Sequence, residues 1–181
     1  MTPRRLIPTL PAATALLAML LAGPVLALES DAQQPIHISA DQLTIDDQAG
    51  TAVYTGTVHV EQGSLKLDAQ RVELQRGANG GLSTMRATGT SGQRAYIEQQ
   101  PSPQESLVRG WGDTLIYHAG ERRVEMLGNA ELHRGGDTFT GAYVEYFLDS
   151  RQVNARGGQQ SQGSEAGGRV NMTLTPEGGS N

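Results

Sequence analysis

The chain has 181 residues, a formal net charge of −5 and no cysteine. An acidic balance argues against nucleic acid as a partner, because that binding demands a basic face. Without cysteine there is no disulfide framework, so the fold must be held by packing.

The N-terminus carries Arg4 and Arg5, an apolar run from Ala12 to Ala22, the breaker pair Gly23-Pro24, and then Val25-Leu26-Ala27. This order predicts a secretory signal peptide over residues 1–27, cleaved after Ala27. The competing reading is a retained N-terminal anchor, but the run is shorter than the roughly 20 residues a membrane-spanning helix needs. Loss of Arg4 and Arg5 would take the charge to −7, since residues 1–27 contain no acid. The expected mature chain is long enough for one domain with its own core.

Beyond the leader, a period of two dominates. Ile36, Ile38 and Ala40 alternate with His37 and Ser39; Ala52, Tyr54, Gly56, Val58 and Val60 alternate with Val53, Thr55, Thr57, His59 and Glu61. Leu65, Leu67 and Ala69 follow the same rule, as do Val72 and Leu74. Strict alternation over short segments predicts half-buried strands. The apolar parity flips at Gln62-Gly63 and between Ala69 and Val72, where turns or bulges are expected. No window after Ala27 carries a helical stripe, so the chain is predicted to be all-β.

The chain also repeats itself. Residues 41–74 set against 113–146, at a constant offset of 72, pair Asp41 with Asp113, Leu43 with Leu115 and Gly56 with Gly128. Apolar character is kept at Tyr54/Met126, Val60/Leu132 and Leu67/Phe139. Each copy reads as D-x-L, a turn, a long glycine-bearing strand and two short strands. Such a unit cannot bury its apolar face alone, so copies must stack or fold over one another. Between the copies, Leu82 to Gln99 is a third β stretch with Met85, Ala87, Tyr96 and Ile97 as its apolar points. Gln100 to Gln104 holds two prolines and is a loop. Residues 28–155 form the expected β domain, 156–168 a Gly/Gln-rich flexible loop, 169–176 a final edge strand and 177–181 a disordered tail.

No catalytic constellation emerges. His37, His59, His118 and His133 show no metal-ligand spacing, so no metal is expected. No serine sits in a nucleophile elbow, and Gly110-Trp111-Gly112 is followed by no helix that would make it a phosphate loop. Asp41 and Asp113 recur with Glu73 and Glu145, and repetition favours a turn or capping role for the aspartates. A secreted β-solenoid that binds or processes carbohydrate is the alternative class. It would need convergent carboxylates or an aromatic platform, and a single tryptophan with scattered acids promises neither.

Residues 30–155 resemble the LptA-type, OstA-like family of periplasmic lipopolysaccharide transport proteins. The resemblance is carried by Gln34-Pro35-Ile36-His37-Ile38, Ala40-Asp41-Gln42-Leu43, Tyr54-Thr55-Gly56-Thr57-Val58, Gln62-Gly63 and Leu65-Lys66-Leu67-Asp68-Ala69. Leu127-Gly128-Asn129-Ala130-Glu131-Leu132 supplies the second copy. It implies a twisted, V-shaped β-jellyroll of antiparallel strands, open along a seam, that shelters lipid A acyl chains. It implies no enzyme activity and no cofactor. A periplasmic bridge is expected, joining the inner-membrane component LptC to the outer-membrane translocon LptD by strand-edge augmentation. Head-to-tail self-association follows from the same heterologous contact. The expected lipid-binding residues are Ile36, Ile38, Leu43, Tyr54, Val58, Val60, Leu65, Leu67, Tyr96, Met126, Leu132 and Phe139.

Overall fold

The computed structural model describes residues 34–158 and 168–175. The predicted leader, most of the Gly/Gln-rich segment and the tail at 177–181 lie outside the described residues. Twelve strands follow one another: β1 (His37–Ser39), β2 (Gln42–Asp46), β3 (Thr51–Gln62), β4 (Leu65–Arg76), β5 (Leu82–Thr88), β6 (Ala95–Gln99), β7 (Val108–Gly112), β8 (Thr114–His118), β9 (Arg123–Arg134), β10 (Asp137–Phe147), β11 (Val153–Arg156) and β12 (Asn171–Thr173). A 3-10 turn at Ala119–Glu121 links β8 to β9. Every strand pairing is antiparallel.

The four long strands β3, β4, β9 and β10 each serve two sheets. The first half of β3, the second half of β4, the first half of β9 and the second half of β10 join β2, β5, β8 and β11 in sheet I. Their other halves join β1, β6, β7 and β12 in sheet II. The changeover falls at a bulge. Thr55 faces Arg71 and Val58 faces Ala69, so two residues on β3 oppose one on β4. An extra residue of this kind bends a strand and increases its twist. Gly56 takes φ +81° and Thr57 φ +46°, in the left-handed region where a Cβ is unfavourable. A side chain on Gly56 would also overlap the Asp41 carboxylate. The Asp41 N–H donates to the carbonyls of Thr55 and Gly56, which locks the bend.

The same arrangement recurs 72 residues later. Leu127 faces Tyr143 and Ala130 faces Gly141; Gly128 (φ +69°) and Asn129 (φ +46°) occupy the left-handed positions, and the Asp113 N–H donates to Gly128 O. The paired aspartates and glycines of the sequence repeat are therefore bend-forming residues. The structural repeat is also longer than the sequence match. Strands β1–β6 correspond to β7–β12, and β1 lies on β3 as β7 lies on β9, with Ile38 against Val60 and Gly110 against Leu132. Two details differ from the sequence reading. The predicted pair of short strands after each turn is one long bent strand, β4 or β10, and the middle stretch divides into β5 in sheet I and β6 in sheet II.

Candidate functional site

Cross-strand partners share a face, and the register aligns apolar side chains in rows that cross the whole molecule. In sheet I one row runs Leu43, Tyr54, Val72, Ala87, Leu115, Met126, Val144, Ala155. A parallel row runs Ile45, Ala52, Leu74, Met85, Tyr117, Val124, Tyr146, Val153. In sheet II the row is Ile38, Val60, Leu67, Ile97, Gly110, Leu132, Phe139, Met172. Eight strands at a spacing of about 4.8 Å make each row roughly 34 Å long. The two sheets face one another across these rows and form one hydrophobic cluster. Among the described residues, Gln99 is the only buried polar or charged one. The rows between the sheets therefore offer shape and apolar surface, with the phenols of Tyr54, Tyr117 and Tyr146 as their polar groups.

The rows are closed in the middle and open at their ends. Leu115, Met126, Val144 and Leu132 are fully buried, whereas Ile36, Leu43 and Ile45 at one end and Val170, Met172 and Leu174 at the other are exposed. At the β1/β2 end lies a mouth of about 300 Å³ whose apolar lining is Ile36, Ile45, Ala52, Tyr54, Leu74 and Leu82, with Asp46, Asp47, Gln75 and Arg76 also lining it. In the second repeat the corresponding space narrows to about 20 Å³ beside Ile97, Met126, Leu132 and Tyr146. Gly110 sits at this constriction. A Cβ there would lie 2.9 Å from Met126 Sδ and 3.1 Å from Ile97 Cγ2.

Of the twelve residues expected to meet lipid, Val58, Val60, Leu65, Leu67, Met126, Leu132 and Phe139 are buried in the cluster between the sheets. Ile38 and Tyr54 pack partly buried against it; Ile36 is exposed at the mouth and Leu43 is exposed on the β2 edge. Tyr96 requires a correction. Its strand neighbours Ala95 and Ile97 are the buried ones, and Tyr96 stands across from Asp68 and Trp111 on the outer face of sheet II. Its hydroxyl donates to Glu98 Oε2 at 2.6 Å, and burial with the Glu98 bond pushes its pKa up to about 12. A phenol with a carboxylate partner belongs on the wet face, and that demand sets the parity of β6. Ile45, Ala52, Leu74 and Leu82 line the mouth and escaped the sequence reading. Leu43 and Ile45 lie two apart, and that signal was sufficient to find Ile45.

The outer faces carry the charge. Arg123 is held by Glu121, Glu125 and Glu145; the Glu121 hydrogen bond, then Glu125, drives its guanidinium pKa upward against burial. Asn129 Nδ2 donates to the Asp113 carboxylate at 3.1 and 3.2 Å. Among the described residues no group of three His, Cys, Asp or Glu could hold a metal ion.

With this geometry in place, likeness to known proteins is informative. The profile of a family described as LptA/(LptD N-terminal domain) LPS transport protein matches residues 37–152, from β1 to the residue before β11. The chain is 35% identical over 173 residues to the lipopolysaccharide export system protein LptH of Pseudomonas aeruginosa, covering 96% of this chain and 97% of that one. It is 28% identical over 154 residues to the lipopolysaccharide export system protein LptA of Escherichia coli K12, covering 84% and 77% of the two chains. The crystal structure of LptH, the LptA-homologous periplasmic component of the lipopolysaccharide transport device of Pseudomonas aeruginosa, superposes with a TM-score of 0.71. That match has 34% identity and covers 82% of this chain and all of the other.

Proposed function

Because the chain belongs to the LptA/(LptD N-terminal domain) family of LPS transport proteins, we propose that it is a periplasmic bridge segment that carries lipopolysaccharide with the acyl chains between its two sheets. The observation that supports this most is the run of apolar rows across all eight strands of each sheet, ending in exposed apolar side chains at both edges. Each acyl CH₂ that leaves water for such a surface is stabilised by about 0.8 kcal/mol. The mouth beside Ile36, Ile45 and Tyr54 is where a chain enters, and the polar part of the lipid stays in water.

The bridge would extend by strand addition, and the molecule contains its own template for the joint. Internally, β5 and β6 of the first repeat pair with β8 and β7 of the second, Ala87 against Leu115 and Ile97 against Gly110. The equivalents of these four strands at the free ends are β11 and β12 on one side and β2 and β1 on the other. The joint between copies therefore places Ala155 against Leu43 of the next copy and Met172 against its Ile38. LptC and LptD would present the complementary edges at the two membranes. No activity is ascribed to the chain beyond holding and passing lipid.

Two measurements test the reading. A photoreactive residue at Ile38 or Ile45 should crosslink to lipopolysaccharide, while one at His37 should not; adducts at none of the three, in folded protein, would remove the lipid track. Because the chain has no cysteine, Ala155→Cys combined with Leu43→Cys should give a ladder of disulfide-linked oligomers. The combination with Thr44→Cys points the second thiol to the opposite face and should give none. Equal ladders would overturn the register of the joint.

A further inference from the structure

The outer face of sheet II holds a second cavity, of about 530 Å³, on the side where the sheets join and away from the mouth. It lies in the size range of small-molecule sites. Its lining includes Asp68, Gln70, Gln93, Arg94, Tyr96 and Trp111. The rings of Tyr96 and Trp111 lie 5.1 Å apart at 39°, and His133 meets Trp111 edge-on at 4.8 Å. This is an aromatic platform of the kind that a lone tryptophan in the sequence did not announce. Adjacent strands bring Tyr96 and Trp111 into register from β6 and β7.

We infer that this cavity is a binding site for uncharged pyranose sugar, with the ring laid against Trp111 and Tyr96 and its hydroxyls met by Asp68, Gln70 and Gln93. Three observations carry it. First, the charges present are already compensated. Arg94 donates to Glu131 Oε2 at 2.8 Å and to Asn129 O at 2.7 Å, and His59 bonds Asp68 at 2.6 Å and Glu61 at 3.2 Å. Both cationic side chains of the lining thus already have carboxylate partners, and Arg94 also lies over the Trp111 ring at 5.9 Å, which favours a neutral, hydroxyl-rich ligand over a phosphate or carboxylate. Second, the side-chain amides of Gln70 and Gln93 make no hydrogen bond to other described residues, and each can both donate and accept.

Third, the other repeat does not carry these side chains. At the equivalent positions of the other repeat, Trp111 is replaced by Ser39, Tyr96 by Asn171, Asp68 by Thr140 and Gln70 by Ala142. Ser39 stands on β1 and Asn171 on β12, at opposite edges, so among the described residues the strand pairing that sets Tyr96 beside Trp111 occurs at the central β6–β7 seam and is not repeated. The aromatic pair is thus particular to the seam between the repeats, where it opens on the cavity and gives a sugar ring an apolar surface. This inference stands apart from the transport reading, because the cavity shares no lining residue with the mouth, although Val58 and Ala69 of the core also line it.

Two sources supply pyranose rings in the proposed compartment, the glycan of the cell wall and the sugar portion of lipopolysaccharide. Trp111 is the only tryptophan, so its emission reports this cavity alone. Purified protein would be titrated with soluble N-acetylglucosamine oligomers and, separately, with fully deacylated lipopolysaccharide, following fluorescence and heat. A saturable response to either sugar supports the site, and the responding sugar names the source; the position away from the mouth favours the N-acetylglucosamine oligomers. Gln70→Ala with Gln93→Ala should weaken that binding at least tenfold, while His118→Gln, on the other sheet, should leave it unchanged. Absence of saturable emission or heat with both sugars, or binding that survives the double substitution in folded protein, would overturn the inference.

Discussion

Leu43 and Leu115 are the same residue at the same position of the two repeats, and they are 50% and 1% exposed. Ile45 and Tyr117, one step along the strand, are 57% and 7% exposed. The pairing on the β3 and β9 side is identical, Leu43 against Tyr54 and Leu115 against Met126. The difference lies on the other flank. β8 has β5 beside it, whereas among the described residues β2 pairs with β3 alone. Local sequence thus makes the strand, but the next unit decides whether its apolar face is core or surface. An edge that carries core side chains is incomplete by the standard of its own repeat, and unprotected apolar edges invite another strand.

The sharpest way to break that comparison is to truncate both leucines. Leu115→Ala should cost about 2–5 kcal/mol, as expected for a leucine removed from a packed core. Leu43→Ala should cost less than about 1 kcal/mol in dilute protein, because half of its side chain is already in water. Urea denaturation at low concentration measures both. Equal losses would mean that β2 is covered even in the isolated chain. At high protein concentration the Leu43 effect should grow, since pairing of copies would then bury it.

This pair also shows what could be read in advance. The period of two fixed the strands, and the offset of 72 placed Leu43 over Leu115 before any coordinates. The sheet assignment was hidden, because alternation names a face without naming the sheet it belongs to. β3 reads as one alternating strand through Gly56, yet its halves pair with β2 in sheet I and β1 in sheet II. Exposure was hidden for the same reason: Leu43 and Leu67 look alike in sequence and differ only in the strands beside them. Tyr96 shows the limit of likeness as a guide. Tyr96 and Ile97 are both apolar enough to point inward, and only the Glu98 partner for the phenol and the buried Ala95 and Ile97 settle which does.

A second comparison concerns filling. Where the first repeat has Ile38 and Tyr54, the second has Gly110 and Met126, and there the space between the sheets is nearly closed. Gly110→Val should overpack the constriction against Met126 Sδ and Ile97 Cγ2, costing about 1–3 kcal/mol. Combined with Met126→Ala, the loss should be smaller than the sum of the two single losses, and a double-mutant cycle by urea denaturation reads the coupling. Strict additivity of the two substitutions would show that the thioether does not fill the gap above Gly110. It would also mean that the second repeat is not the closed half of the track.

The smallest expected effect separates the repeats by pH. His59 in the first repeat is replaced by Glu131 at the equivalent place in the second. The Asp68 hydrogen bond, then that of Glu61, raises the His59 pKa above the ordinary imidazole value of 6.5. Its contribution is therefore fully present below pH 6.5 and fades as pH rises through the folded-state value. Burial pushes the Glu131 carboxyl upward, but the Arg94 and His133 hydrogen bonds outweigh it, and the net pKa falls below the ordinary 4.5. That contribution is present above pH 4.5 and fades as pH falls through the folded-state value. His59 is 43% exposed, so solvent screening keeps its share below about 1 kcal/mol. His59→Gln should flatten the stability profile above pH 6 and leave the acid limb alone, and Glu131→Gln should do the reverse. Denaturation midpoints at pH 4, 6 and 8 distinguish the two. If His59→Gln left the slope between pH 6 and 8 unchanged, the imidazole would not hold Asp68 in solution. Asp68 would then face the sugar cavity unpartnered, and that cavity would carry a negative charge at neutral pH.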